Sequence, residues 1–213
     1  MKKLVQLVNE WDSFDAGHSN ASLEDFCRYY LAKTALPSQN QVTLPNPTQA
    51  KRVTLLRTLG RTISAYTLFH KAAMSKTSIP SPEGFYFLTI LRHAGELKKT
   101  DLINYLLMEY TTGMEAINKL LKDDLIEQRS DENDKRAKLI RLTPKGTTVL
   151  NECFVYAGKA QEMFFHQVPD DTVQLCASLL SVLDTQNSEL AIEMRTKDFN
   201  ELYERFKKSN ESA

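Results

Sequence analysis

Glycine and proline are scarce in this chain, seven of each in 213 residues. That scarcity excludes glycine-periodic and proline-rich architectures and favours long helices over a loop-rich or all-β fold. Cysteine is scarcer still. Cys27, Cys153 and Cys176 are odd in number, far apart and without CxxC spacing. No disulfide framework is expected, and a reducing cytoplasm is the expected compartment. Net charge is absent, with 27 Lys and Arg against 27 Asp and Glu. The chain as a whole therefore advertises no polyanionic partner, and any nucleic-acid reading must rest on local charge placement. Long hydrophobic runs are missing as well. No stretch approaches the roughly 18 apolar residues of a membrane span. The start, MKKLVQLVNEWD, is broken by Asn9, Glu10 and Asp12 before a signal-peptide core could form, so neither a leader nor a membrane partner is expected.

Catalytic signatures are lacking too. No P-loop, dinucleotide fingerprint, GxSxG or HExxH occurs. His18, His70, His93 and His166 are scattered, none at i, i+4 from another, and no Cys or carboxylate cluster gathers around them. The expectation is no metal, no cofactor and no enzyme.

What is present is an ordinary globular composition, 42% apolar and 25% charged, long enough for a sizeable core in one or two domains. Residues 1–14 and 21–35 read as two short helices, the second with Ser22 and Asp25 in a cap arrangement. PSQNQVTLPNP at 37–47 reads as a linker. A long helix should start near Pro47–Thr48, with Leu56, Leu59, Ile63, Tyr66, Phe69 and Ala73 on one stripe. TSIPSP ends it. A helix over 82–94 follows, with Pro82 in its first turn and Gly95 where a helix C-terminus favours glycine. Two short helices lie between Lys98 and Leu125. Thr143-Pro144 caps a helix reaching about Gln167, and Pro169-Asp170-Asp171 starts another. On that one Val173, Cys176, Leu180, Leu183, Leu190 and Met194 form a heptad-like stripe, interrupted by Asn187. Phe199, Leu202, Tyr203 and Phe206 suggest a last short helix. Cys153 and Cys176, both on apolar stripes, read as core.

One β-hairpin stands near the middle of this helical chain: Leu125–Arg129 and Lys138–Leu142, flanking the charged loop SDENDKR. An isolated two-stranded ribbon is marginal in water, so it must lean on the helices before it. Helix, turn, helix, ribbon is the order of a winged helix-turn-helix. At about 100° per residue, Gly113, Ala116, Ile117, Leu120 and Leu121 fall on one side of the second short helix. Thr111, Thr112, Glu115, Asn118, Lys119 and Lys122 fall on the other. Lysines suit phosphates; Asn can bond adenine in two places and Glu can accept from cytosine N4. The same face would also suit an ordinary amphipathic helix in water. At the loop tip Asp134, Lys135 and Arg136 are adjacent. A protruding arginine can enter a minor groove, and a nearby carboxylate can hold its guanidinium.

The stretch LIEQRSDENDKRAKLIRLTPKG resembles the wing of the MarR-type family, the multiple-antibiotic-resistance-type transcription regulators. The likeness is carried by Leu125-Ile126-Glu127, by Asp134-Lys135-Arg136 and by Leu142-Thr143-Pro144-Lys145-Gly146, and it spans about residues 48–190. It implies a winged-helix homodimer on pseudo-palindromic double-stranded DNA, usually a repressor, with recognition-helix contacts in the major groove and Arg136 as the wing arginine. The chain departs from the family at Glu109-Tyr110-Thr111-Thr112-Gly113, where a serine-rich, arginine-bearing start is common. Its first 46 and last 20 or so residues extend beyond the usual core and are expected to enlarge the dimer interface. Cys27, in FCRYY, resembles the peroxide-sensing cysteines of some members but precedes the matching helix. It reads as a buried, inert residue, with a redox sensor as the weaker alternative.

The expected fold class is therefore mainly α: a winged helix-turn-helix with a small β-hairpin wing, plus long N- and C-terminal dimerisation helices. The expected division is an N-terminal helical extension and linker over 1–47, a dimerisation region over 48–81 and 147–213, and a DNA-binding domain over 82–146. The expected function is a cytoplasmic homodimeric transcription regulator, a repressor released by a small-molecule or redox signal. Lys98, Lys99 and Thr100 join the DNA-binding residues at a helix N-terminus, and Asp134 and Arg129, with Glu127, organise the wing. The alternative is a winged helix used as a protein-interaction module, favoured by Asp123, Asp124, Asp131, Glu132 and Asp134 and by the neutral net charge.

Overall fold

The structure, a computed structural model, describes residues 2–18, 22–34, 45–131 and 138–211. It divides into two compact units, Met1–Arg61 and Thr62–Ala213.

The first unit holds α1 (Lys2–Asp15), α2 (Leu23–Thr34) and the first part of α3 (Pro47–Met74). α2 starts on a reciprocal cap: the Ser22 N–H donates to Asp25 at 3.0 Å and the Asp25 N–H to Ser22 Oγ at 3.2 Å. α1 and α2 meet through aromatic side chains. Phe14 and Phe26 are buried, Trp11 lies edge-on to Phe26 with centroids 5.0 Å apart, and Tyr29 lies 4.9 Å from Phe14. Lys33 reaches back to Glu10 at 2.6 Å. Cys27 is exposed, which corrects its reading as a buried cysteine: the seam of α2 runs through Phe26 and Tyr30, and Cys27 lies off it. At α3 the Asn46 side chain accepts from the N–H groups of Thr48 and Gln49 at 3.0 and 3.2 Å, so the helix starts at Pro47 as the cap chemistry predicts. Most of the expected linker, residues 37–44 of 37–47, lies outside the described residues.

The second unit continues with α4 (Gly84–Ala94), β1 (Glu96–Lys98), α5 (Lys99–Tyr105), α6 (Tyr110–Lys122), β2 (Ile126–Ser130), β3 (Lys138–Leu142), α7 (Pro144–Phe164), α8 (Asp170–Glu193) and α9 (Phe199–Glu211). Its core is one cluster from α4 to α7. Phe87, Leu88, Leu91, Leu102, Ile103, Ile117, Leu120, Ile140, Leu150 and Cys153 are all essentially without solvent contact. α4 begins two residues later than expected, because Pro82 belongs to the preceding turn, where the Gly84 N–H donates to Ser81 O at 3.0 Å. Gly95 ends α4 with φ +76°, a conformation costly for other residues, and its N–H donates to Leu91 O at 2.9 Å.

The wing is a three-stranded antiparallel sheet in the order β1-β3-β2, not a two-stranded hairpin. β3 lies between the others, pairing Leu97 with Ile140 on one side and Gln128 with Ile140 on the other. Three residues of β1 are too few to display alternation, yet they remove one free edge from the ribbon. α5 and α6 cross at Gly113, where a Cβ would come within 2.7 Å of the Ile103 side chain. The absence of a side chain there sets the closeness of the two helices.

α7 packs on α4, and its far end meets α3 edge-on: Phe164 lies 5.2 Å from Tyr66 and 5.6 Å from Phe69. α8 buries none of its residues. Its Cys176 is exposed, correcting the expectation of a core cysteine: among the described residues the stripe of α8 is only partly covered, at Val173, Leu180 and Leu190. Ile63 and Leu68 of α3 are likewise 64% and 70% exposed. Among the described residues no helix is long and apolar enough to cross a membrane.

Candidate nucleic-acid interface

α6 is built so that one face has no choice but the core. Gly113, Ala116, Ile117 and Leu120 are buried, while Thr111, Thr112, Glu115, Asn118, Lys119 and Lys122 are all exposed. The six polar residues read from periodicity thus share one solvent-facing surface. The helix starts on Glu109, whose carboxylate accepts from the Thr112 N–H at 3.0 Å. That bond, followed by contacts to Thr111, holds the Glu109 carboxyl below the ordinary glutamate range. Lys119 and Lys122 lie in the last turn, where positive charge meets the negative end of the helix dipole. Tyr110, not singled out by the sequence, stands 54% exposed at the first helical position.

The approach to α5 behaves differently from its sequence reading. Lys98 is the residue before the helix and makes no side-chain cap; its ammonium lies 3.7 Å from Asp131. Lys99 is half-buried, and burial, then the nearby Lys138 charge, lowers its pKa. Thr100 is exposed, its hydroxyl 3.4 Å from Asp101. Lys98 thus ends β1 and pairs with Leu139, and Lys99 lies close to Lys138 of β3, so this helix start is part of the sheet's edge.

On the outer face of the sheet, charges are matched in pairs. Arg129 donates from Nε and Nη2 to the two oxygens of Glu96, at 2.8 and 2.7 Å. This fork–fork bond reaches from β2 over β3 to β1. Arg141 on β3 donates to Glu127 at 2.7 Å. Lys138 bonds Ser130 at 2.9 Å across the strand ends. Glu127 and Arg129 are thus both engaged in the wing's own bonding. The part played by Glu96 escaped the sequence, since it lies 33 positions from Arg129 and nothing marked β1 as a strand. Asp134, Lys135 and Arg136, at the loop tip, lie outside the described residues.

No three His, Cys, Asp or Glu side chains gather to hold a metal among the described residues. Open grooves flank α5, one of about 910 Å³ lined by Asn104, Leu107, Tyr110, Ile192 and Arg195 among others. Arg195, just past α8, donates to Asn104 of α5 at 2.7 Å.

Residues 87–146, from α4 through the start of α7, match a family described as a winged helix DNA-binding domain. No curated protein matches the chain. Solved structures do. Escherichia coli MarR in its apo form is 20% identical, with a TM-score of 0.53, over 61% of this chain and 95% of that one. A mutant of E. coli MarR complexed with operator DNA is 19% identical, with a TM-score of 0.57, over 62% and 95%. A MarR family transcriptional regulator of Streptomyces coelicolor in complex with DNA is 16% identical, with a TM-score of 0.57, over 68% and 91%. With α6 exposing its polar face and a wing beside it, residues 87–146 have the winged-helix fold and match a DNA-binding domain of that kind, within a chain that has the fold of MarR family regulators.

Proposed function

We propose that the chain is a homodimeric, sequence-specific DNA-binding transcription regulator that acts as a repressor in the cytoplasm. The observation that carries this reading is the division of α6, whose apolar side is locked into the core while Thr111, Thr112, Glu115, Asn118, Lys119 and Lys122 are exposed together. Such a helix enters a major groove, its short polar groups at base edges and its lysines at phosphates. Lys135 and Arg136 reach the flanking minor groove, while Lys98, Lys99 and Thr100 line the backbone. Arg129, held by Glu96, sets the orientation of the wing.

The dimer is supported by apolar surface left open among the described residues: Leu175, Leu179, Val182 and Leu183 of α8 are each at least 39% exposed, as are Ile63 and Leu68 of α3. Exposed apolar faces of this kind mark interaction sites. Residues 48–81 and 147–213 form this dimerisation region, and half-sites then lie about 34 Å apart, one DNA turn. A small-molecule signal acts by changing the distance between the two recognition helices, which couples its binding to that of DNA. In a Bordetella bronchiseptica relative of the same fold, DNA binding is regulated by 6-hydroxynicotinic acid.

Selection of bound fragments from genomic DNA tests the reading. A pseudo-palindrome with half-sites one turn apart is expected. A second reading has its own support: Arg129 and Arg141 are already tied to Glu96 and Glu127, as on a winged helix used for protein interaction. No enrichment at low salt, together with a stable protein partner, selects that alternative.

A further inference from the structure

α1 carries its charges against its own dipole. Lys2 and Lys3 occupy the first turn, where the helix end is positive; Asp12 and Asp15 occupy the last, where it is negative. No acid in the first turn and no base in the last offsets this. Between the two ends lies an apolar surface that the hairpin leaves open. α2 packs on α1 at Trp11 and Phe14, while Leu4, Val5, Leu7 and Val8 are 65%, 55%, 47% and 50% exposed.

We infer that α1 docks antiparallel on α1 of a second copy of this chain. One occupant resolves both features. In an antiparallel pair, related by a two-fold axis near the helix middle, the Lys2–Lys3 end of each copy lies along the acidic Asp12–Asp15 end of the other. Each basic end also meets a negative helix terminus, and each acidic end a positive one. Leu7 and Val8 of the two copies close over one another near the axis, and Leu4 of each lies along the Trp11 turn of the other, continuing the aromatic seam of the hairpin. A parallel pair would place lysine on lysine, so the charge pattern selects the direction as well as the partner. An isologous face of this kind is self-complementary by symmetry. The inference draws its second copy from the homodimer reading but concerns a helix outside the winged domain.

The experiment uses the full chain with Cys27→Ser, Cys176→Ser and Gln6→Cys, spin-labelled at position 6, with molar mass measured by light scattering on the same samples. A narrow inter-label distance within about 30 Å is expected for helices packed side by side. Lys2→Glu with Lys3→Glu abolishes it, as does Asp12→Lys with Asp15→Lys. The heterotypic complex of the two variants, isolated through two different tags, restores it. Each charge change agrees with the helix dipole and touches no buried residue, so loss of the distance does not come from unfolding of α1. A dimeric mass without the short distance overturns the docking of α1 and leaves the homodimer standing. A monomeric mass overturns both. Loss in both variants without restoration in the heterotypic complex overturns the antiparallel pairing.

Discussion

A Cβ on Gly146 would overlap the carbonyl oxygen of Leu125. The two residues meet where β2 begins and α7 starts, and the contact explains the Leu-Thr-x-x-Gly run at the end of the wing. Thr143 ties the same place from the other side: its N–H donates to Leu125 O at 3.1 Å, its hydroxyl to Asp124 O at 2.7 Å, and its Oγ1 accepts from the Gly146 N–H at 2.9 Å. The wing is thereby fastened to the end of α6.

Gly146→Ala should destabilise the chain by about 3 kcal/mol, because the obstacle is backbone rather than a movable side chain. Gly158, on the same helix and with no atom within 4 Å of a built Cβ, is the control. Gly158→Ala should stabilise by about 0.5–1 kcal/mol through the entropy of the unfolded chain. Chemical denaturation of the two variants measures the contrast; equal effects would remove the close approach as the reason for the motif glycine.

Acid should loosen the start of α6. The Glu109 carboxylate, stabilised by the Thr112 N–H, has its pKa depressed in the folded chain. Its contribution is therefore complete above the ordinary glutamate pKa of about 4.3 and fades as pH falls through the lower folded value. The melting temperature of Glu109→Gln should lie below that of the wild type at neutral pH and converge with it at strongly acid pH. A constant gap at every pH would show that the charge of the cap is irrelevant.

The Arg129–Glu96 pair should matter little for stability and more for DNA. Both side chains are partly exposed, at 46% and 26%, so Glu96→Gln is expected to cost less than about 1 kcal/mol. Removing this carboxylate should tighten non-specific DNA binding and steepen its salt dependence, since a negative charge leaves the wing. Unchanged binding on both counts would confine the pair to the architecture of the sheet.

Asn118→Ala should change which sequences are bound more than how tightly random DNA is held, with about 1–3 kcal/mol lost at one base position. Arg136→Ala should instead weaken binding, with a shallower salt slope and the dimer intact. An equal loss on all sequences would make Asn118 a positioning contact, and no loss with Arg136→Ala would remove that residue from the interface.

How much of this was legible beforehand follows the range of the interaction concerned. The two faces of α6 repeat every three or four residues, so periodicity alone separates Ile117 and Leu120 from Asn118 and Lys119. The caps at Ser22, Thr143 and Gly95 are local chemistry and are readable as such, whereas the Asn46 cap of α3 is marked in the sequence only by the Pro47 that follows it. β1 did not: Glu96-Leu97-Lys98 is strand only because Arg141, Ile140 and Leu139 arrive beside it. The Glu96–Arg129 pair, which spans the sheet, was invisible for the same reason. The α8 stripe was visible, but a pattern says only that a face is apolar, not which molecule covers it. Cys176 is exposed rather than core on that account, and Cys27 lies off the seam because its aromatic neighbours in FCRYY do not place each residue on it.

The most direct measurement of the central claim is operator affinity as a function of salt for the wild type and for Lys119→Ala with Lys122→Ala. If the exposed face of α6 lies in a DNA groove, the variant binds more weakly and its slope of log affinity on log salt is shallower by about one unit for each phosphate contact removed. An identical slope and affinity in a variant that remains folded would contradict the account.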